Sequence, residues 1–247
     1  MSDPTEPNTG RILDYWLGGT HHFPPDVAGA QAFESLYPGY PAVFQVLREY
    51  IGRAVRFVRS QDVDQFLVFG SGVPTRGNVH EAVPDARVLY TDVDPVNVAL
   101  GREILAGNPN AGYTFCDASD LSTLDRGEVE RVLGPVRRVG VVFVGVSVFI
   151  ADDSLRQTFD DLYDWAPPDS YLVLDFDSEL TREYPAVVAA LAAIGEPFHM
   201  RSPEAAAALL GRWRLTEEGI QPVATWRNPE GDPDFPTFMN GGVAHRP

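Results

Sequence analysis

An apolar run that ends in two glycines is the first feature of this sequence that could carry chemistry. Residues 66–69 are Phe-Leu-Val-Phe, and Gly70-Ser71-Gly72 follows them directly. In an open parallel sheet, ligands bind outside the carboxyl ends of the strands, where glycine lets them approach backbone N–H groups. The spacing therefore indicates a ligand-binding turn, and an ordinary tight strand-to-helix turn is the alternative.

Acidic residues follow the next two apolar runs. Asp92 and Asp94 come after residues 87–90, about 20 residues beyond the glycines, as in folds that bind an adenosine cofactor. A carboxylate there can accept both hydroxyls of a ribose. Asp94 also precedes Pro95 and so is suited to cap a helix. Asp117, after the third apolar run, could accept a hydrogen bond from an adenine amino group, and a solvated loop is the alternative. The glycines and Asp92 together predict a nucleoside-binding edge.

The elements that must position these residues are short strands alternating with helices, which is typical of a parallel sheet wrapped by crossover helices. The predicted strands are 66–69, 87–90, 113–115, 141–144, 171–174, 222–226 and 242–244. The predicted helices are 76–83, 95–106, 125–133, 153–165, 180–194 and 204–210. Before them, helical spacing of apolar residues predicts a cap. We expect a single doubly wound α/β domain over 1–247, with a helical cap at 11–60 and a Rossmann-like core at 61–247.

Charge and cysteine content exclude several classes of protein. The chain has 247 residues, 44% of them hydrophobic, with a formal net charge of −16. This acidity leaves no basic face for nucleic acid. Cys116 is the only cysteine, which excludes an internal disulfide and a cysteine-based zinc site, and we expect no metal. Because no apolar run suggests a signal peptide or membrane span, we expect a cytoplasmic protein that does not bind membranes.

Motifs along nearly the whole chain resemble a family of actinobacterial S-adenosylmethionine-dependent methyltransferases, formerly a domain of unknown function. The matching motifs are Arg11-Ile-Leu-Asp-Tyr-Trp-Leu-Gly-Gly19 with Phe23, Gly70-x-Gly72-x-Pro74-Thr75-x-x-Asn78-x-His80, Tyr90-x-Asp92-x-Asp94-Pro95, Ser170-Tyr-Leu-Val-Leu174 and Gly241-Gly-Val-Ala244. The extension from Pro74 to His80 is far more specific than the glycines alone.

The resemblance implies a class I methyltransferase fold, with seven strands of which the last is antiparallel, and S-adenosyl-L-methionine as cofactor. It further implies that Gly70 and Gly72 contact the methionine part, Asp92 the ribose and Asp117 the adenine. The full set of expected cofactor-binding residues is Gly18, Gly19, Gly70, Ser71, Gly72, Pro74, Thr75, Asn78, Asp92, Val93, Asp94, Asp117, Ala118, Val146 and Ser147.

The chain departs from these relatives at three places near the expected pocket. Val68 stands where relatives usually carry an acid that helps to hold the cofactor's amino group. Thr-His-His replaces the usual Lys-Asp-Asn after Gly19, and Ser147-Val148-Phe149 replaces a common Leu-His-Phe. Our hypothesis is that the pocket has an altered substrate or altered chemistry.

The sulfonium methyl group is already activated, so a base is needed only for an oxygen or protonated nitrogen acceptor. His21 and His22 are the candidate bases, with Tyr15 beside them as a third catalytic candidate, and a solvated loop is the alternative for both histidines. Asp175 and Asp177, after the fifth predicted strand, lie where acceptors often bind or else cap a helix.

The predicted function is methyl transfer to a small molecule, as in secondary metabolism. One alternative is an enzyme of the same fold that has lost methyl transfer and catalyses an isomerisation, cyclisation or elimination, with the cofactor structural or absent. A second is a magnesium-dependent prenyl or terpenoid enzyme, because Asp160-Asp161-x-x-Asp164 is an acidic cluster of that kind, although it falls on a predicted surface helix. A third is a non-catalytic binding protein.

Overall fold

The computed structural model describes residues 5–193, 198–236 and 238–247. One eight-stranded sheet forms its centre, in the order β3-β2-β1-β4-β5-β8-β6, with β7 also paired to β8. Strands β1 to β5 run parallel to one another, and β8 runs antiparallel to β5, β6 and β7. The strands are β1 Gln65–Phe69, β2 Arg87–Asp92, β3 Ala111–Phe115, β4 Gly140–Phe143, β5 Ser170–Asp177, β6 Arg214–Leu215, β7 Gln221–Pro222 and β8 Met239–Arg246.

The helices within the described ranges cover both faces of this sheet. They are α1 Thr9–Trp16, α2 Pro24–Leu36, α3 Tyr40–Arg59, α4 Val79–Ala82, α5 Pro95–Leu105, α6 Arg126–Leu133, α7 Asp152–Trp165, α8 Pro185–Ala193 and α9 Pro203–Leu209. Short 3₁₀ turns lie at Leu121–Thr123, Ser147–Phe149 and Glu179–Glu183. Helix α5 begins at Pro95 because the Asp94 carboxylate caps the Val96 N–H at 2.7 Å.

The central strands are buried on both faces, which explains why they are continuous apolar runs. Successive side chains point to opposite faces, so Val68 and Val173 pack with α3 while Leu67 and Leu172 pack with α6 and α7. The parallel order places the carboxyl ends of β1, β2, β4 and β5 along one edge. The doubly wound α/β sheet predicted from the sequence is confirmed.

Helices α1, α2 and the start of α3 pack around an aromatic cluster of their own. The Trp16 ring stacks on Tyr40 and Phe44, with ring centroids 5.4 and 5.2 Å apart. The buried Arg11 guanidinium connects this layer to the sheet, because it bonds both Asp26 and Asp94 at 3.0 and 3.3 Å. These contacts fix the N-terminal helices against the carboxyl end of β2.

Several predicted elements differ in extent. The sheet has eight strands rather than seven, because two-residue pieces at β6 and β7 pair with β8. The predicted strand 222–226 is limited to Gln221–Pro222, and a turn follows. Pro74 and Gly77, which has a φ of +66°, delay the helix predicted at 76–83 to Val79.

The region around the fifth strand also differs. Asp175 and Asp177 lie inside β5, which ends three residues later than predicted, so neither caps a helix. Pro185 starts α8, and a 3₁₀ turn replaces the start of the helix predicted at 180–194. Position 194 lies outside the described residues.

Candidate active site

The turn after β1 is fastened to β2 and β3 by its central residue. Ser71 is buried, its N–H donates to the Thr91 carbonyl at 3.0 Å, and its hydroxyl lies 2.7 Å from the Tyr113 hydroxyl. Tyr113 in turn donates to the Gly72 carbonyl at 2.6 Å. The Ser71 contacts with β2 and β3 therefore fix the conformation of the turn.

The two glycines of the turn are required by backbone conformation and by close neighbours. Gly70 and Gly72 have φ values of +54° and +60°, where side chains are strained. A Cβ at Gly70 would lie 2.4 Å from Val146 Cγ2, and one at Gly72 would lie 2.9 Å from the Gly10 Cα. Val146 was expected at this turn from the sequence. Gly10, in the first turn of α1, was not predicted, because the contact that requires a glycine there forms only when α1 packs on the turn.

Asp92 points into this turn. Its Oδ2 accepts the Gly72 N–H at 2.8 Å, and its Oδ1 accepts the Asp94 N–H at 2.8 Å. Burial raises the pKa of Asp92, and the bonds from Asp94, Gly72 and Asn97 oppose that rise. The Oδ1 of Asn97 is buried beside Asp92 without a partner among the described residues. This edge therefore joins a carboxylate to an amide oxygen that still lacks a donor.

An exposed apolar surface lies next to Asp92. The Val93 side chain is 58% exposed, which is unusual for a large apolar residue of this protein. Asp117 and Ala118, after β3, are half-buried, and Asp117 Oδ1 accepts from the N–H and hydroxyl of Ser119 at 2.8 and 2.7 Å. A flat apolar group with polar edges would fit between the ends of β2 and β3.

Asp94 is engaged by the N-terminal segment as well as by α5. Its Oδ2 accepts from the Asn8 amide at 2.8 Å and from Arg11 at 3.3 Å. The Asn8 Oδ1 also accepts a hydrogen bond from the Asn97 Nδ2 at 3.2 Å, and Asn8 caps α1. The structure thus gives Asp94 a structural place between the cap and the sheet, while its expected contact with a cofactor stays a prediction.

Asp14, in α1, organises the loop that contains the candidate bases. Its buried carboxylate accepts the Thr75 hydroxyl, the His21 N–H at 2.7 Å and, at 2.9 Å, the ring Nδ1 of His22. The Gly18-Gly19 turn closes around it, since a Cβ at Gly19 would lie 1.9 Å from Asp14 Oδ1. Asp14 therefore ties this loop to the end of the glycine turn at Thr75.

The three catalytic candidates lie together around Asp14. His22 uses Nδ1 toward Asp14, which favours the tautomer that leaves Nε2 as an acceptor. The Tyr15 ring contacts His22 edge to face, with centroids 5.2 Å apart. The Nδ1 of His21 is buried and has no partner within the described part of the chain. The arrangement of an oriented imidazole on a buried carboxylate is suited to accept a proton.

The ends of β4 and β5 form the other side of the edge. Gly145 has a φ of +75°, and a Cβ built there would meet no atom within 4 Å. Its N–H donates to Asp175 Oδ1 at 2.8 Å, and Ser147 Oγ donates to the Asp175 carbonyl at 2.7 Å. Burial raises the pKa of Asp175 to about 7, and its Oδ2 has no partner in the described ranges. Burial likewise raises the pKa of Asp177.

Three further positions around the glycine turn are buried. Asn78, a sequence-predicted cofactor residue, is buried and accepts from Arg48 of α3 at 2.9 Å. Pro74 is buried within the turn. Val68 is also buried and offers no charge at the end of β1, as its sequence departure implied.

The acidic cluster of α7 is held by an arginine. Arg212 lies 3.3 Å from Asp160 and 2.7 Å from Asp164, on an exposed helix face. Across the part of the chain that the structure describes, no group of three or more His, Cys, Asp or Glu side chains could hold a metal ion. The same ranges contain no helix long and apolar enough to cross a membrane. Arg212 thus already pairs with two of the three carboxylates on which the magnesium-dependent alternative depends.

A family model described as S-adenosyl methyltransferase matches residues 2–247. The chain belongs to this family. It is similar to a putative methyltransferase from Thermobifida fusca, with 30% identity, 98% of this chain and 96% of that chain covered, and a TM-score of 0.87. A DUF574 family protein from Streptomyces avermitilis shares 27% identity over 99% of both chains, with a TM-score of 0.86. Comparison with curated proteins found no match.

A more distant likeness supports the class I fold. The N-methyltransferase NodS from Bradyrhizobium japonicum, in complex with S-adenosyl-L-homocysteine, is 12% identical, with 79% of this chain and 85% of that chain covered and a TM-score of 0.52. The protein is therefore an S-adenosylmethionine-dependent methyltransferase of class I fold, and S-adenosyl-L-methionine is its cofactor.

The carboxyl edge of the sheet fits this cofactor. Asp92 supplies a carboxylate, Val93 an exposed apolar surface, and Asn97 Oδ1 a buried acceptor without a partner among the described residues. Gly145 leaves open space where a side chain would intrude. The acid expected from the resemblance is absent at Val68, whose side chain is buried and apolar.

Proposed function

We propose that this methyltransferase acts on an oxygen or nitrogen of a small molecule and that His22 is the base. The contact between Asp14 and His22 Nδ1, at 2.9 Å, carries the proposal. It fixes the imidazole beside a turn that Thr75 connects to the glycines. Neither the acceptor group nor the role of the histidine follows from family membership, because the histidine is one of this chain's departures from its relatives.

The bound cofactor supplies a methyl group that is already activated by its sulfonium sulfur. The chain must then align the acceptor, exclude water and remove the acceptor's proton. Asp14 accepts a hydrogen bond from the Nδ1–H of His22, so the lone pair on His22 Nε2 is available. Nε2 takes the proton of the acceptor molecule as the new bond to the methyl group forms. The carboxylate also stabilises the resulting imidazolium, since an opposite charge favours the charged form.

The cofactor-binding part of the proposal places the ribose at Asp92 and the adenine against Val93, Asp117 and Ala118. The methionine part then lies over Gly70, Gly72 and the Val146-Ser147 segment. Support comes from the burial of Asp92 at the turn and from the exposure of Val93 beside it. We place the acceptor molecule in the space between the His22 loop and the end of β5.

A small acceptor is favoured by the position of the cap. Helix α1 begins on the glycine turn, where Gly10 and Gly72 are in contact, and the loop after α1 carries both histidines. The net charge of −16 disfavours nucleic acid as the acceptor. We propose a cytoplasmic enzyme of secondary metabolism on these grounds.

Labelled methyl transfer to a panel of small phenols and amines tests this function. Wild-type enzyme should methylate at least one of them, and His22→Gln should lower kcat by about 100-fold or more. His245→Gln is the matched control. His245 pairs with Tyr171 at the start of β5, away from the carboxyl ends of the parallel strands, and it is partly exposed. Cofactor binding without any transfer would count against the proposal and favour a reaction other than methylation.

A further inference from the structure

A groove lined by arginines lies on the outer face of α3, between this helix, α4 and Asn228. It has a volume of about 450 Å³, and its charged residues are Arg48, Arg53 and Arg56 together with Glu49 and Glu81. We call it the arginine groove. Three arginines against two glutamates leave the groove with an excess of positive charge, in a chain of net charge −16. It shares only Asn78 with the residues expected at the cofactor.

Arg48 is partly buried without a carboxylate partner. Burial lowers the pKa of its guanidinium. Its Nη1 donates to Asn78 Oδ1 at 2.9 Å, and no carboxylate of the described residues lies within 4.0 Å of it. Glu81, at the groove's edge, is exposed and accepts the Gly77 N–H at 2.8 Å. A buried charge is costly unless an opposite charge compensates it, and Glu81 acts on Arg48 only from beyond ion-pair distance, so an anion in the groove would stabilise Arg48 further.

Asn78 adds a second donor that lacks an acceptor. The residue is 1% exposed, and its Oδ1 is occupied by Arg48. Its Nδ2 is buried and has no hydrogen-bond partner among residues 5–193, 198–236 and 238–247. Buried amide groups are nearly always paired, and an unpaired one costs about 1–3 kcal/mol. Asn78 therefore holds the Arg48 guanidinium in place through Oδ1, while its own Nδ2 lies buried behind the wall of the groove.

The other two arginines differ in their freedom. Arg53 is fixed, because it donates to the carbonyls of Trp226 and Val223 at 2.9 and 2.6 Å. Arg56 is exposed at the rim and forms no ion pair within the described ranges. It can therefore turn toward a ligand that the Arg48 guanidinium, held in place by Asn78, contacts at the wall of the groove.

We propose that the arginine groove binds a small oxyanion, a phosphate or carboxylate group, at a site separate from the cofactor. Guanidinium donors match the acceptor oxygens of both groups, and guanidinium forms two parallel bonds with either. The volume is sufficient for a small anionic molecule. The bound anion neutralises Arg48, whose bond to Asn78 connects the groove to a residue six positions beyond the glycine turn.

Thermal unfolding of the full chain, with inorganic phosphate, acetate or chloride at equal ionic strength, tests the site. Phosphate or acetate should raise the Tm, and chloride should not. The anion that acts at the lower concentration distinguishes a phosphate ligand from a carboxylate ligand. With saturating S-adenosyl-L-homocysteine present, the anion should add its own increase, because the two sites are separate.

Two variants and one control sharpen the result. Arg56→Gln should weaken the anion's apparent affinity by about tenfold, since charged hydrogen bonds contribute about 1.5–3 kcal/mol. Asn78→Asp gives Arg48 an internal carboxylate, so this variant should no longer respond to the anion. Arg59→Gln removes the same charge from the last residue of α3, outside the groove, and should respond as wild type does.

Three outcomes would overturn the proposal: no response to either oxyanion, an equal response in Arg56→Gln and wild type, or loss of the response when S-adenosyl-L-homocysteine is bound. If Asn78→Asp does not fold, Arg56→Gln decides alone, because its side chain is exposed.

Discussion

The two sides of the active-site edge differ in how their buried polar atoms are satisfied. At the end of β2, both Asp92 oxygens accept backbone N–H groups, the Ser71 hydroxyl contacts Tyr113, and Asn97 Oδ1 is buried without a partner among the described residues. On the other side, two side chains, His21 at Nδ1 and Asp175 at Oδ2, are buried without partners in the same ranges. Since an unpaired buried group is costly, a ligand that supplies partners stabilises both sides, and the second side has more atoms to satisfy.

This contrast separates what the fold requires from what the acceptor requires. The β2 side uses backbone N–H groups and a carboxylate, which can hold the same nucleoside in many enzymes. The other side uses side chains in which this chain departs from its relatives, His22 above all. We infer that the difference in polar partners marks the boundary between a shared cofactor half and a chain-specific acceptor half.

Asp14→Asn should have the largest effect of any single change on the acceptor half. The amide cannot accept from Thr75, the His21 N–H and His22 together, and it favours the wrong tautomer of His22. We expect kcat to fall by about 10²–10⁴, the range for losing an oriented base, while affinity for S-adenosyl-L-homocysteine changes little. Methyl-transfer kinetics and calorimetric titration measure the two quantities.

Glu34→Gln is a suitable control for that variant. Glu34 accepts the Trp16 indole N–H at 2.7 Å and so also supports α1, but it does not touch the histidine loop. If Asp14→Asn weakened cofactor affinity as much as turnover, Asp14 would belong to the cofactor half, and the boundary drawn above would be misplaced.

Asp175→Asn should change how stability depends on pH. The pKa of Asp175 is raised by burial from 3.8 to about 7. Between these values the folded state keeps a proton that the unfolded state has released, so this group's contribution to wild-type stability falls as pH rises from about 4 to about 7. Asparagine does not titrate, and its Oδ1 can still accept the Gly145 N–H.

The free energy of unfolding, measured in urea from pH 4.5 to 7.5, checks this expectation. The variant's stability relative to wild type should increase across that window by a few kcal/mol at most, because one pKa unit corresponds to about 1.4 kcal/mol. Asp85→Asn removes an exposed carboxylate as the control. Parallel pH curves for wild type and Asp175→Asn would show that Asp175 is not held protonated in the folded protein.

The sequence predicted the shared half better than the chain-specific half. The glycine turn and Asp92 are consecutive features of two strands, so spacing alone brought them together, and Asp92 does point into the turn. Gly10 and Asn97 were missed, since their contacts arise only when α1 docks on the sheet. The arginine groove was missed for the same reason, because Arg48 and Asn78 are 30 residues apart and meet only after α3 packs on α4.

Asp92→Asn should affect the cofactor half alone. An asparagine can accept one of the N–H groups of Gly72 and Asp94, but its own N–H₂ must then face the other. We expect the affinity for S-adenosyl-L-homocysteine to fall by about 100-fold, since a hydrogen bond to a charged group contributes about 1.5–3 kcal/mol and a ribose contact is lost as well. Calorimetric titration measures this, with Asp120→Asn, an exposed cap of the 3₁₀ turn, as control. Affinity within about twofold of wild type would place the ribose elsewhere, and Asp92 would then serve only to hold the turn that Gly72 and Asp94 define.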